Sequence, residues 1–340
     1  MGRSRNLRVL LALGGALALL AAIAIRPAGA GVVQEVDSVT ITVSDMDRAL
    51  AFYEDVLSFE TVSDVEVADE AYDQLLAGSG LRLRIARMRL GAEFIELMQV
   101  IAREGRPIPA DSQSNDLWFQ HIAIITPDMA RAYAWLREHE VRHSSPAPQR
   151  LPDWNPDAGG IEAFYFKDPD GNNLEILAFP EGKGDPKWQE PSEHLFLGID
   201  HTAIAVADTE ESLAFWRDAL GLKVVGESEN YGLEQERLNN VAGAHLRITA
   251  LRAPAGPGVE LLEYLAPDGG RPFPADTTVS DLWHWQINVT SPDVGAATAT
   301  CIKPCVPVSP GVIELTDDIG LRSSALIRDP DGHAVLLADR

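Results

Sequence analysis

The sequence is short of cysteine, of aromatic residues and of positive charge. Its 340 residues include two cysteines and 7% aromatic side chains, with 28 Lys and Arg against 51 Asp and Glu. A net charge of −23 repels a phosphate backbone and argues against a nucleic-acid partner. Cys301 and Cys305 lie four residues apart around Pro304, so a short-loop disulfide and a pair of free thiols both stay open.

Long apolar runs are absent after residue 30, so no later segment is predicted to cross a membrane. Before that point, three arginines within the first eight residues precede an uncharged apolar run over 9–25, and Ala28-Gly29-Ala30 follows. This pattern is typical of a signal peptide spanning 1–30. We therefore expect export to the periplasm or medium and a mature chain that begins near Gly31. An uncleaved N-terminal anchor is the alternative.

Several segments of the first half return, in the same order, in the second half. They include an Arg-Pro-x-Pro-Ala-Asp stretch followed by Asp-Leu-Trp, a short aromatic segment ending in Leu, and an Asp-Pro-Asp-Gly turn. The pairs are Arg106–Trp118 with Arg271–Trp283, Phe52–Leu57 with Phe215–Leu220, and Lys167–Gly171 with Arg328–Gly332. Segments that repeat in the same order over most of a chain indicate a duplicated domain.

Each half divides again into two similar units. Alternating apolar and small polar residues over 36–43 predict a strand, Ser44-Asp45 is a helix N-cap signal, and residues 46–57 have helical spacing. Three further strands are predicted over 59–67, 81–90 and 93–100. The same β-α-β-β-β order recurs from residues 118, 199 and 283. The fold class is therefore α+β, with four βαβββ modules in two tandem domains, 31–180 and 198–340, joined by a linker over 181–197.

These modules resemble those of the vicinal oxygen chelate superfamily. The resemblance rests on Phe-Tyr or Phe-Trp four residues before the Leu that closes a helix, and on Asp-Pro-Asp-Gly four residues before Glu175. The superfamily includes glyoxalase I, extradiol dioxygenases, methylmalonyl-CoA epimerases, and fosfomycin and bleomycin resistance proteins. The resemblance implies that the two modules of each half pair into one incomplete, glyoxalase-like barrel.

The resemblance also implies metal ligands on the first and last strands of each module. In the first half these positions are Ser38, Glu96, His121 and Glu175. Strand alternation places the apolar neighbours of the last three on the opposite face. One His and two Glu suit Fe²⁺, Mn²⁺, Ni²⁺ or Zn²⁺ and leave positions for a chelating substrate. Ser38 departs from the family pattern, because a hydroxyl is a poor ligand.

The second half offers a weaker set at the corresponding positions: His201, Glu260, Gln286 and Leu336. Leu336 has lost the carboxylate. His284 lies two residues before Gln286 and, with His201 and Glu260, could imitate a 2-His-1-carboxylate triad, although it is off the family's register. We therefore predict the metal site in the first half and a degenerate site in the second.

Three functions fit this pattern. The first is a divalent-metal-dependent lyase or isomerase acting on a small oxygen-chelating substrate, with Glu175 or Glu96 as general base. The second is an extradiol-type dioxygenase, and the third is a non-catalytic small-molecule binding protein. Export counts against glutathione- or CoA-linked chemistry. Trp154 lies in a loop that either covers the first cavity or forms a surface turn. A homodimer is a possible assembly, and no membrane partner is expected after signal cleavage.

Overall fold

The structure is a computed structural model that describes residues 32–101, 103–268, 270–300, 305–315 and 320–340. The predicted signal segment and its cleavage site lie outside these residues. Cys301 also lies outside them, so the disulfide to Cys305 that the sequence left open falls outside the described residues. Among the described residues, no helix is long and apolar enough to span a membrane.

Four modules follow one another along the chain. The first contains β1 (Glu35–Thr42), α1 (Met46–Asp55), β2 (Glu60–Val67), α2 (Glu70–Leu75), β3 (Leu83–Leu90) and β4 (Glu93–Val100). The second contains β5 (Gln120–Ile125), α3 (Met129–Glu138), β6 (Arg142–His143), β7 (Gln149–Arg150), β8 (Glu162–Lys167) and β9 (Asn173–Ala178). A 3₁₀ turn, Pro186–Gln189, lies in the linker to the third module.

The second half repeats this order. The third module contains β10 (Gly198–Val206), α4 (Thr209–Leu213) continued by a π-helical turn (Ala214–Ala219), β11 (Lys223–Tyr231), α5 (Leu233–Asn239), β12 (His245–Arg252) and β13 (Gly258–Ala266). The fourth contains β14 (Trp285–Thr290), α6 (Val294–Thr300), β15 (Val306–Pro307), β16 (Ile313–Glu314), β17 (Ser323–Arg328) and β18 (Ala334–Asp339). The α+β class and the glyoxalase-like modules predicted from the sequence are confirmed.

The pairing of the modules differs from the prediction. In the described residues the strands form two sheets of nine. Sheet A joins the first module to the fourth through the antiparallel pair β1–β14, in which Thr40 lies opposite Gln286. Sheet B joins the second module to the third through β5–β10, in which His121 lies opposite Ala203. Each glyoxalase-like sheet therefore takes one module from each half, and the ranges 31–180 and 198–340 each contribute to both sheets.

The two modules of one half share a hydrophobic core instead of a sheet. In the first half, Ile41 and Tyr53 of the first module pack in one buried cluster with Ile122, Leu136 and Phe164 of the second. A second cluster joins the third and fourth modules in the same way. Apolar residues that alternate along the strands thus bury the backs of the sheets within a half. The concave face of each sheet is therefore formed by one module from each half.

The repeated Arg-Pro-x-Pro-Ala-Asp and Asp-Leu-Trp segments are the connectors that cross between the sheets. The guanidinium of Arg106 donates to both carboxylate oxygens of Asp281, at 2.9 and 2.7 Å. Arg271 donates to Asp116 at the same two distances. Each aspartate also accepts the backbone N–H of its partner arginine. Bidentate pairs of this kind fix geometry as well as adding free energy, so the two connectors hold each other in register.

The Asp-Pro-Asp-Gly motif is structural. The Asp168 carboxylate accepts the backbone N–H groups of the next residues in its turn, at 2.8 to 2.9 Å. Asp170 then reaches across to the N-terminal end of α1, where it accepts hydrogen bonds from the Ser44 backbone N–H and hydroxyl. Asp331 meets the start of α4 in the corresponding way through Ala207 and Ser212. The motif therefore ties the end of one module to the first helix of its neighbour.

Loss of one connector pair should destabilise the whole fold. Asp116 is 3% exposed, and Asp116→Ala leaves the backbone N–H groups of Gln113 and Arg271 without their acceptor. We expect the free energy of unfolding to fall by about 2 kcal/mol, measured by urea denaturation. Asp153→Ala is the control, because it breaks the exposed Arg150–Asp153 pair and should leave stability nearly unchanged. Equal effects of the two substitutions would contradict a stabilising role for the pair between Arg271 and Asp116.

Candidate metal centre

Sheet B gathers two histidines and two glutamates on its concave face. The central strands β5 and β10 carry His121 and His201, and the flanking strands β9 and β13 carry Glu175 and Glu260. The His121 Nε2 lies 3.1 Å from Glu175 Oε2, and the His201 Nε2 lies 3.6 Å from the same oxygen and 3.3 Å from Glu260 Oε2. The ligand atoms of His121, Glu175 and His201 all lie within 4.8 Å of one another.

His201 is oriented by a chain of hydrogen bonds behind it. Its Nδ1 lies 3.0 Å from the Asp200 carboxylate, which accepts at its other oxygen from Trp188 Nε1 and Arg252 Nη2 at 3.0 and 2.9 Å. The register of β10 shifts between Ile199 and His201, and this irregularity allows the adjacent residues Asp200 and His201 both to be buried. Such carboxylate partners fix the orientation of metal-binding histidines. Nε2 of His201 is thereby directed at the two glutamates.

His121 lacks a hydrogen-bond partner. Its side chain is 1% exposed, yet neither ring nitrogen makes a hydrogen bond within the described residues, although Glu175 lies at hydrogen-bond distance. Buried polar atoms without partners are rare in native proteins and call for a bound water or ion. Two imidazoles and two carboxylates are a donor set that suits Zn²⁺, Fe²⁺, Mn²⁺ or Ni²⁺. The residues present therefore fit a divalent cation.

A cavity of about 290 Å³ opens beside these ligands. Glu175, His201 and Glu260 lie in its wall, together with Tyr165, whose ring centre is 4.9 Å from that of His121. Burial raises the pKa of Tyr165 well above its usual value, and the neighbouring Glu175 raises it further. Tyr165 thus stays a protonated phenol at neutral pH.

The loop over 151–161 forms part of this cavity wall, but Trp154 does not. Ala158 and Ile161 line the cavity, whereas Trp154 is 52% exposed and stacks on Tyr231 at 4.5 Å between ring centres. Behind it, Asn155 Nδ2 donates to Asn230 Oδ1 at 2.7 Å. Trp154 therefore lies on the surface and does not cover the cavity, whereas other residues of the same loop form one side of the cavity wall.

The corresponding positions of sheet A hold a different cluster. Glu96 Oε1 accepts from Arg87 at 2.9 Å and from Arg340 at 2.5 Å, and Glu96 Oε2 accepts from Asn288 Nδ2 at 3.2 Å. The same asparagine donates to Ser38 at 3.0 Å. Gln286 and Leu336 line a residual cavity of about 20 Å³ beside Glu96. Two guanidinium groups compensate the buried Glu96 carboxylate here, a role that a metal would have in sheet B.

The predicted grouping of site residues is therefore corrected. Glu96 was expected beside His121 and Glu175 as a metal ligand and a general base, but it lies in the other sheet, bound by arginines. Gln286 was expected beside His201 and Glu260, and it too belongs to sheet A. The cause is the exchange of modules between halves. Sheet B receives His121 and Glu175 of the first predicted site and His201 and Glu260 of the second, so the division into a metal-binding first half and a degenerate second half is wrong.

His284 has no part in this site. It precedes β14 in sheet A and is fully buried, and burial, with a smaller effect of Arg328, lowers its pKa to about 3. Its imidazole therefore stays neutral. Because it lies in the other sheet, it cannot join His201 and Glu260 in a triad. The partners of His201, namely Asp200, Trp188 and Arg252, were missed from the sequence. Asp200 next to His201 was the available signal, whereas nothing local points to Trp188 or Arg252.

Metal content should depend on residues of both halves. His121→Ala and His201→Ala should each lower zinc bound per chain from one equivalent to well under half, because each removes one of two imidazole donors. Glu96→Gln, at the sheet A position that corresponds to Glu260, should retain the full equivalent. Elemental analysis after dialysis measures all three, with circular dichroism to check folding. Retention of zinc by His201→Ala would contradict the assignment to sheet B.

Metal affinity should fall as pH falls. Burial by itself lowers the pKa of His201, but Glu260, Asp200 and Glu175 outweigh it and raise the pKa to about 9 in the metal-free protein. A metal binds the neutral imidazole, so below pH 9 each unit of acidification should weaken binding about tenfold. Zinc binding at pH 7 should release about one proton, which calorimetry in buffers of different ionisation enthalpy detects. Binding without proton release would contradict the shift.

Both halves of the chain match one protein family. Residues 35–176 and 198–337 each match the model of the Glyoxalase/Bleomycin resistance protein/Dioxygenase superfamily. A 2-epi-5-epi-valiolone epimerase from Actinomyces sp is 31% identical over 153 residues, which are 43% of this chain and 80% of that protein.

Solved structures share the fold over nearly the whole chain. Glyoxalase I from Zea mays has a TM-score of 0.59 at 16% identity, over 90% of this chain and 92% of that one. A putative dioxygenase from Bacillus subtilis has a TM-score of 0.56 at 15% identity, over 91% and 86%. The chain belongs to the glyoxalase/bleomycin resistance protein/dioxygenase superfamily.

Proposed function

We propose that the protein is a divalent-metal-dependent isomerase of the epimerase type, acting on a small substrate with adjacent oxygen atoms. The observation that carries the proposal is the pair of glutamates on either side of two neighbouring histidines, with both glutamates and His201 lining one cavity. The likeness to a 2-epi-5-epi-valiolone epimerase supports the same reaction type. Export, as the N-terminal pattern predicts, stays part of the proposal.

The residues of the site would bind the metal and orient the groups around it. His121, His201 and Glu175 would hold the metal, with Glu260 beside them, and the metal when bound would polarise a substrate carbonyl as a Lewis acid. The Asp200–Trp188–Arg252 group keeps the His201 ring in place. Tyr165, kept protonated by burial, can donate a hydrogen bond to a substrate oxygen.

The two glutamates provide proton transfer from two directions. In sheet B the strand order is β13-β10-β5-β9, so Glu260 and Glu175 approach from opposite sides of the histidine pair. Burial raises the pKa of Glu260, while His201 opposes this effect. A carboxylate with a raised pKa is a stronger base and, once protonated, a useful acid near neutral pH. One glutamate can remove a proton from a carbon next to the carbonyl, and the other can return a proton to the opposite face.

A dioxygenase is the second candidate. The observation in its favour is the cluster of His121, His201 and Glu175, because two histidines and a carboxylate are the ligand set of non-haem Fe²⁺ oxygenases. Sheet B contains a second carboxylate beyond that set. An additional base next to the metal is what proton transfer requires, and we therefore place isomerisation first.

Isomerisation should leave a solvent hydrogen on the inverted carbon. With Zn²⁺-, Mn²⁺-, Ni²⁺- or Fe²⁺-loaded protein and 2-epi-5-epi-valiolone or other α-hydroxyketones in D₂O, NMR should show deuterium at the carbon beside the carbonyl. Glu175→Gln and Glu260→Gln should each slow incorporation by about 100-fold or more, because each removes a proton-transfer group. Glu96→Gln is the matched control and should stay within about twofold of the wild type. Oxygen consumption without deuterium incorporation would favour the dioxygenase.

A further inference from the structure

Apart from His201, which binds a metal as the neutral imidazole, the charged groups that line the cavity of sheet B are all carboxylates. Five carboxylates line it: Asp157, Glu175, Asp200, Glu227 and Glu260. In the part of the chain that the structure describes, no lysine or arginine lines this cavity. Asp157 and Glu227 are exposed at its edge, and the other three are at its inner end with the histidines. An anion that approaches meets carboxylates first.

The nearest arginines are engaged elsewhere. Arg252 donates to the Asp200 carboxylate and to its backbone carbonyl, at 2.9 and 2.8 Å. Arg247 donates to Glu210 at 2.8 Å and to Glu227 at 3.1 Å. Both guanidinium groups thus have carboxylate partners, and neither contributes to the cavity wall. A substrate phosphate or carboxylate would have to separate an existing ion pair to obtain a counter-charge.

The rest of the wall is mainly apolar. It is formed by aliphatic side chains from β9, β12, β13 and the loop over 151–161: Leu151, Ile161, Leu177, Leu246, Ile248 and Leu262. Transfer of an anionic group from water to such a surface is costly without a paired charge. Uncharged polar contacts are available from Ser228, Asn230 and Gln235. The wall therefore suits an uncharged framework that carries hydroxyl groups.

We propose that the substrate, apart from the oxygens that chelate the metal, is a small uncharged molecule, and that phosphorylated, CoA-linked or glutathione-linked compounds are rejected. This inference rests on the proposed function of the site. The cavity volume of about 290 Å³ is near the lower end of the range for small-molecule pockets, which suits a small substrate. The class is thus a free hydroxyketone or similar chelating compound.

Probes that differ only in the charge of one arm test the proposal. 3-Hydroxy-4-pyridinones chelate divalent metals through two adjacent oxygens, and their ring nitrogen can carry chains of two to six carbons. The chains should end in a hydroxyl, a methyl or a carboxylate group. With Zn²⁺-loaded protein, calorimetry should show tighter binding of the hydroxyl and methyl probes than of the carboxylate probe at every chain length. We expect a difference of about tenfold or more.

A substitution that supplies the missing cation should reverse this preference. Ser228 lies half-buried in the cavity wall on β11, and Ser228→Lys should tighten binding of the carboxylate probe at one or more chain lengths without tightening that of the methyl probe. Ser63→Lys makes the same change on the exposed strand β2 of the other sheet and should leave the preference unaltered. Zinc content of both variants should remain one equivalent, which separates the charge effect from loss of the metal.

The outcomes distinguish the inference from the function on which it rests. If the carboxylate probes bind Zn²⁺-loaded wild-type protein as tightly as the uncharged ones, the substrate class is wrong while the metal site stands. If all probes bind equally well with and without Zn²⁺, or none binds the loaded protein, the chelating site itself is wrong and the inference falls with it. An identical change of preference in Ser63→Lys and Ser228→Lys would show a long-range charge effect and would also overturn the role of the cavity wall.

Discussion

The exchange of modules between the two halves determines the rest of the structure. It depends on the antiparallel pairs β1–β14 and β5–β10 and on the two crossing connectors. In the connectors, Arg106 with Asp281 and Arg271 with Asp116 form matching bidentate pairs. Because the aspartates are 2% and 3% exposed, replacing either one would leave buried hydrogen-bond donors without an acceptor. The repeated sequence segment thus encodes the crossing and takes no part in chemistry.

The two sheets show two ways to accommodate carboxylates on a concave face. A buried carboxylate requires compensation by an opposite charge or by hydrogen bonds. In sheet A, Arg87 and Arg340 provide it for Glu96, and the remaining space is filled by apolar side chains such as Tyr72 and Leu75 of α2. In sheet B no guanidinium reaches Glu175 or Glu260 within the described ranges, and an open cavity remains. One site has become a structural ion pair, whereas the other retains the requirements of a metal centre.

Much of the local structure could be predicted from the sequence, because alternation and capping are local signals. The strand predicted over 93–100 is β4 as observed, and the predicted helix over 46–57 ends two residues earlier, at Asp55. The short helices α2 and α5 were missed, since six or seven residues show too little periodicity to identify. All eight positions on the concave faces were identified, but their grouping depends on which modules pair. Pairing is decided by long-range contacts, which no local pattern reports.

One signal for the pairing was present in the sequence all the same. The weak positions are Ser38 in the first module and Gln286 and Leu336 in the fourth, whereas His121, Glu175, His201 and Glu260 of the second and third modules are all good donors. If neighbours in sequence shared a sheet, each half would combine good donors with weak positions: Glu96, His121 and Glu175 with Ser38, and His201 and Glu260 with Gln286 and Leu336. With the first module paired to the fourth, the weak positions fall together and four good donors meet in sheet B. A full set of four donors survives only if the losses are confined to modules that share a sheet, so the distribution of the losses agrees with the exchange.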